Sequence, residues 1–153
     1  MPHKKDAEKS KSRYLFKITM VGPEDKLLEK VLSVINENVV AVDGIRIGAT
    51  HLETENSDVK ALFMSPKHSA LDILLSLTYK GAKGVMIVLK EHDPEIETMY
   101  RNEIRENLGQ GIPTRVIAVG TKIEEFKKAE IRNTLDEMIE EMLDIAEKER
   151  AAS

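Results

Sequence analysis

Tyr14-Leu-Phe-Lys-Ile-Thr-Met-Val-Gly-Pro-Glu-Asp-Lys-Leu-Leu-Glu-Lys30 is the stretch on which the fold turns. A mostly apolar run, a Gly-Pro break and an acid-led amphipathic run read as the first strand, tight loop and helix of a βα unit. A working phosphate-binding loop of this kind reads G-x-x-x-x-G-K-[ST]. Its glycine amides surround the phosphates, its lysine binds them and its hydroxyl holds Mg²⁺. Counted from Gly22, the last three positions hold Leu27, Leu28 and Glu29. The cradle is outlined and not filled.

Electrostatics points the same way. A helix start attracts phosphate through free N–H groups and roughly half a positive charge. Pro23 removes one N–H, and Glu24 and Asp25 put carboxylates where the anion would dock.

Outward from that unit, Leu28, Val31, Leu32 and Ile35 recur at helical spacing and give the helix an inward face. Asp43-Gly44 marks a turn. Ile45–Glu53 and 59–64 read as strands, and the short polar gap between them is too brief for a parallel crossover, so they form an antiparallel hairpin. A helix is expected over 69–80, and Gly84–Leu89 is an apolar run fit for a strand covered on both faces. Asp93-Pro94-Glu95 starts a helix with an N-cap, a proline at N1 and acids in the first turn. That helix carries Ile96, Met99, Tyr100, Ile104 and Leu108 and stops at Gly109 or Gly111. A buried strand over 114–119 precedes a last helix with Ile131, Leu135, Met138, Ile139, Met142 and Ala146 inward. The order β-α-β-β-α-β-α-β-α is that of an α/β domain interrupted by one hairpin.

Composition narrows the function classes. At 153 residues the chain has the size of one domain. We expect a disordered polar leader over 1–12, where Lys4, Lys5, Lys9 and Lys11 face Asp6 and Glu8, then a single domain over 13–150. The absence of cysteine excludes disulfides, thiolate metal sites and thiol nucleophiles. No apolar run reaches the ~18 residues that span a bilayer, so no integral membrane association and a cytoplasmic location are expected. A net charge of -4, three Phe, three Tyr and no Trp argue against a nucleic-acid partner.

Three stretches carry a family resemblance. Tyr14-Leu-Phe-Lys-Ile18, Ser76-Leu-Thr-Tyr-Lys-Gly-Ala-Lys-Gly-Val-Met-Ile-Val88 and Ile112-Pro-Thr-Arg-Val-Ile-Ala-Val-Gly-Thr-Lys122 resemble scaffold segments of Ras-like small GTPases, most closely the Rab-type branch, in the right order over 14–149. The resemblance implies a three-layer fold with a mostly parallel five-stranded sheet of order 2-3-1-4-5. Its strand 2 (Ile45–Glu53) is antiparallel, helices lie on both faces, and the family's sixth strand has no counterpart. The family's chemistry is missing where it should lie. Leu28 stands for the phosphate lysine, and Glu29 and Val39 stand for the two Mg²⁺ hydroxyls. The stretch Ser65-Pro-Lys-His-Ser69 replaces the family's DTAGQ element, and Thr121-Lys-Ile-Glu124 replaces the guanine-reading NKxD, with Glu124 one methylene longer than Asp. Each lost charge-assisted contact is worth on the order of 1.5–3 kcal/mol.

The same residues do not suit three other chemistries. A phospho-receiver domain would use Glu24, Asp25 and Lys122, but Ser65-Pro66 stands where its acceptor aspartate belongs. His51, His68 and His92 share no helical i,i+4 spacing of the kind that ligates a metal. His68, Ser69 and Asp72 are too close in sequence to build a hydrolase nucleophile elbow.

The resemblance therefore implies a pseudo-GTPase serving as a protein–protein interaction or regulatory subunit. It would be no enzyme and would have no catalytic residue, metal or cofactor. The alternative is a divergent small GTPase that still holds GTP or GDP with Mg²⁺ weakly through a rearranged loop, with Gly22, Thr121, Lys122 and Glu124 as its vestigial site. The interaction surface is expected at Arg46, Ser65, Pro66, Lys67, His68 and Ser69. The edge strand Ile45–Glu53 would be open to a protein partner or to a second copy as a homodimer.

Overall fold

Alternation along the first strand sets the two faces of the molecule. The computed structural model describes residues 11–36, 38–68 and 72–152. In it β1 (Ser12–Val21) sends Phe16, Ile18 and Met20 into one apolar cluster and Val21 into another. The chain continues through α1 (Asp25–Ile35), β2 (Val40–Val42), β3 (Ile45–Glu53), β4 (Ser57–Pro66), α2 (Asp72–Tyr79), β5 (Gly84–Leu89), α3 (Pro94–Leu108), β6 (Thr114–Ala118) and α4 (Glu125–Ala152). Of the leader expected over 1–12, residues 1–10 lie outside the described residues. Ser12 already opens β1, and Lys11 Nζ reaches Glu53 Oε1 at 2.8 Å.

The molecule is α/β with one six-stranded mixed sheet in the order β2-β3-β4-β1-β5-β6. β1 runs parallel to β4 and β5, and β5 runs parallel to β6. β3 lies antiparallel to both β4 and β2. This corrects the expected count of five strands and the order 2-3-1-4-5: a sixth strand is present, at the β3 edge and not between β6 and α4, where none was expected and none lies among the described residues. The additional strand is Val40–Val42, which pairs Val40 with Ile47 and Val42 with Ile45. Its cause lies in the turn: Asp43 (φ 52°) and Gly44 (φ 84°) are both left-handed, which is what a tight two-residue hairpin loop needs. The edge expected along all of Ile45–Glu53 is therefore covered over its first three residues.

The larger apolar cluster joins α1 and α4 to one face of the sheet, through Leu28, Val31 and Leu32 on α1 and Ile131, Met138 and Met142 on α4. The smaller cluster joins Tyr79 at the end of α2 and Tyr100 and Ile104 of α3 to Val85, Ile87 and Leu89. β5, whose residues alternate between the two clusters, is buried throughout, in keeping with its unbroken apolar run. Asp93 caps α3 by accepting from the backbone N–H of Glu95 at 3.1 Å and of Ile96 at 3.3 Å, with Pro94 in the first turn. Among the described residues, no helix is long and apolar enough to cross a membrane.

Candidate functional site

The C-terminal ends of β1 and β4 meet the start of α1, and there the protein places one of its own cations. Arg46 lies on the inward side of β3 and is 1% exposed. Its Nη1 lies 3.2 Å from Asp25 Oδ1 and 3.7 Å from Glu29 Oε1, both on α1. Its Nη2 donates to Ser65 Oγ at 3.2 Å and to the Pro66 carbonyl at 3.1 Å, both on β4. One guanidinium thus ties α1, β3 and β4 together. Its Nε is buried without a hydrogen-bond partner among the described residues.

Asp25 is the hub of this arrangement. Its Oδ1 accepts from the backbone N–H of His68 at 3.3 Å and sits 3.1 Å from His68 Nδ1, besides the contact with Arg46. Burial alone would raise the carboxyl pKa. The hydrogen bonds from His68 and Arg46 and the charge of Arg46 outweigh it, so Asp25 titrates below its ordinary 3.8. A lowered folded pKa gives stability that is present above the unfolded value and lost as pH falls through the folded one. The stability gap between wild type and Asp25→Asn is therefore expected to be open at neutral pH and to close as pH drops below 3.8. Urea midpoints of both proteins across that range check it, and a gap that stays constant would show that the carboxylate's charge plays no part.

The residues assigned to an interaction surface divide. Arg46, Ser65 and Pro66 are buried and spent on the internal network, so they offer no side chain to a partner. Lys67 is half-buried and His68 is exposed, and Ser69 lies outside the described residues. Glu24, expected with Asp25 at the helix start, is the N-cap residue but makes no side-chain cap bond.

The four vestigial nucleotide positions divide as well. Gly22 lines a cavity of about 520 Å³ between the β4–α2 connection and α3. His68 and Lys67 stand on one lip of that cavity, and Glu103, which accepts from Tyr79 Oη at 2.9 Å, stands on the other. Burial foremost pushes the Tyr100 phenol in its wall up to about 12. Thr121, Lys122 and Glu124 instead line a separate open groove between α1 and the start of α4. Sequence reasoning missed the other cations of that groove: Lys26 and Lys30 on α1, and Lys128 and Arg132 on α4. Their signal was the i,i+4 spacing on two helices, which puts each pair on one side.

Among the described residues, no three His, Asp or Glu side chains converge in a way that could hold a metal ion. Compared with known proteins, the sequence matches no family model and no curated protein.

Proposed function

We propose that the chain is a pseudo-GTPase of Ras-like three-layer fold, acting as a protein–protein interaction or regulatory subunit without GTP hydrolysis. With β2 set aside, the remaining strands run β3-β4-β1-β5-β6 and only β3 is antiparallel to the others, which supports that fold reading. The observation that carries the functional reading is the Arg46 guanidinium held between Asp25, Glu29, Ser65 and Pro66 at the start of α1. A charge network of the protein's own fills the place where a phosphate and its counter-ion would meet. Leu27 and Leu28, at the positions of the motif's last glycine and its lysine, are 6% and 1% exposed in the main core. Those positions serve packing, and a lysine there could not reach a ligand without leaving the core.

An interaction role draws support from the sheet edge. β2 covers only Ile45–Ile47, so β3 has no further strand beside Gly48–Glu53 among the described residues. The two-residue turn makes Val42 and Ile45 a hydrogen-bonded pair. By alternation, the backbone groups of Ala49, His51 and Glu53 then point off the edge. That stretch carries no lysine or proline to blunt it, so a partner strand or a second copy can add there.

Calorimetry of the purified chain with GTP or GDP and Mg²⁺ is expected to show no dissociation constant below ~10 μM, equivalent to roughly -7 kcal/mol. Sedimentation velocity of the same sample reads the edge arm, where a dimer broken by Ala49→Pro supports self-pairing. Tight, Mg²⁺-dependent guanine-nucleotide binding would instead favour the divergent-GTPase alternative.

A further inference from the structure

The groove between α1 and α4 collects the wrong sign of charge for this protein. Five cations line it against two carboxylates, in a chain whose net charge is -4. Lys26 and Lys30 stand one turn apart on α1, and Lys128 and Arg132 stand one turn apart on α4. Lys122 joins them from the loop before α4. Lys26, Lys30 and Lys122 form no ion pair with any other described residue, whereas Lys128 pairs with Glu125 at 3.2 Å. Between the cations, Val34, Ile35 and Ile123 are half-buried and packed on the main core, giving the groove an apolar lining.

We propose that this groove is a docking site for an acidic, amphipathic polypeptide segment, with apolar anchors on Val34, Ile35 and Ile123 and carboxylates reaching the lysines. Charge complementarity selects an acidic partner, and the apolar lining selects one with anchors. The size of the groove argues against a small anion. It holds about 1240 Å³ and is open, beyond the ~300–1,000 Å³ typical of pockets that enclose small molecules. A nucleic-acid strand would find no aromatic platform in the lining and a net-negative protein around it. A membrane surface is flat, and Glu137, Glu140 and Glu147 form an acidic depression farther along the same α4. The inference goes beyond the nucleotide-free reading and stands or falls separately from it, because nucleotide calorimetry and peptide binding are different measurements.

The test is fluorescence anisotropy of the full chain with a labelled peptide about 14 residues long, carrying Leu at i, i+3, i+4 and i+7 and Glu elsewhere. An oligoglutamate of equal length is the control. Saturable binding at low salt is expected, weakening about tenfold or more between roughly 0.05 M and roughly 0.5 M salt. The triple change Lys26→Glu, Lys30→Glu and Lys122→Glu should weaken it at least about tenfold, with the three Lys→Gln changes intermediate. Ile123→Ser, checked for folding by circular dichroism, should weaken the amphipathic peptide and leave oligoglutamate unaffected. The proposal is overturned if the amphipathic peptide does not saturate at low salt, or if charge reversal leaves its affinity unchanged. Equal binding of oligoglutamate would also overturn it, reducing the groove to a general anion surface. So would a salt-sensitive dimer of the chain alone that the triple reversal abolishes, since the occupant would then be a second copy.

Discussion

Arg46→Ala is expected to lower the unfolding free energy by about 3 kcal/mol. Three losses add up. The Ser65 hydroxyl and the Pro66 carbonyl, both in buried residues, lose their donor. A large side chain disappears from a site 1% exposed and leaves a cavity. Asp25 and Glu29, one turn apart on α1, then face each other without the cation between them. The figure stays at the lower end of the range for broken buried pairs because the two carboxylates are 41% and 54% exposed, and water can solvate them. Arg46→Met is the control. It refills the volume but, like alanine, leaves Ser65, Pro66 and the two carboxylates without the cation, so it should recover only the cavity part of the loss. Urea unfolding of the three proteins reads both effects. A loss below ~1 kcal/mol for the alanine variant would mean that the network adds no more than a surface ion pair, and the claim that it stands in for a bound phosphate would lose its physical basis.

Arg46 also shows where sequence reading stopped. The sequence leads one to expect Arg46 on an interaction surface, whereas in the structure Arg46 and Gly48 are buried and Ile45 and Ile47 are half-exposed. Size and geometry override hydropathy here. Gly48 leaves room for Leu32 of α1, whose Cδ1 would lie 3.3 Å from an added Cβ. Arg46, next on the same face, meets acids that a strand pattern cannot place because they lie on a helix distant in sequence. Elements whose signal is local were legible: the apolar run of β5, the Asp93-Pro94 helix start and the short gap that forces the β3–β4 hairpin. β2 was legible only through its turn. Three residues are too few to show a period, but Asp43-Gly44 between apolar residues is itself a hairpin signal. The groove cations were present as helical spacings. What the sequence withheld was that α1 and α4 lie side by side, a long-range fact set by packing on one sheet face.

Gly22→Ala is expected to cost about 2–4 kcal/mol, or to prevent folding altogether. Gly22 is a residue this chain shares with the phosphate-binding motif, so its retention invites a functional explanation. Packing explains it without a ligand. A Cβ at this position would lie 2.3 Å from the carbonyl oxygen of Val88 and 3.4 Å from Leu28 Cδ2. The obstacle is backbone, and Val88 belongs to β5, which pairs with β1 on one side and β6 on the other. Relief would require moving a central strand against two neighbours, in a layer where Val85, Met86 and Ile87 are fully buried. The two explanations part cleanly in denaturant. A glycine kept for phosphate contact could become alanine with little change in the stability of the ligand-free chain. A glycine kept for the close approach of β1 and β5 cannot. Wild-type stability in the alanine variant would therefore return Gly22 to the list of ligand-binding residues, and the nucleotide titration would have to be repeated on both proteins before the cradle could be called structural.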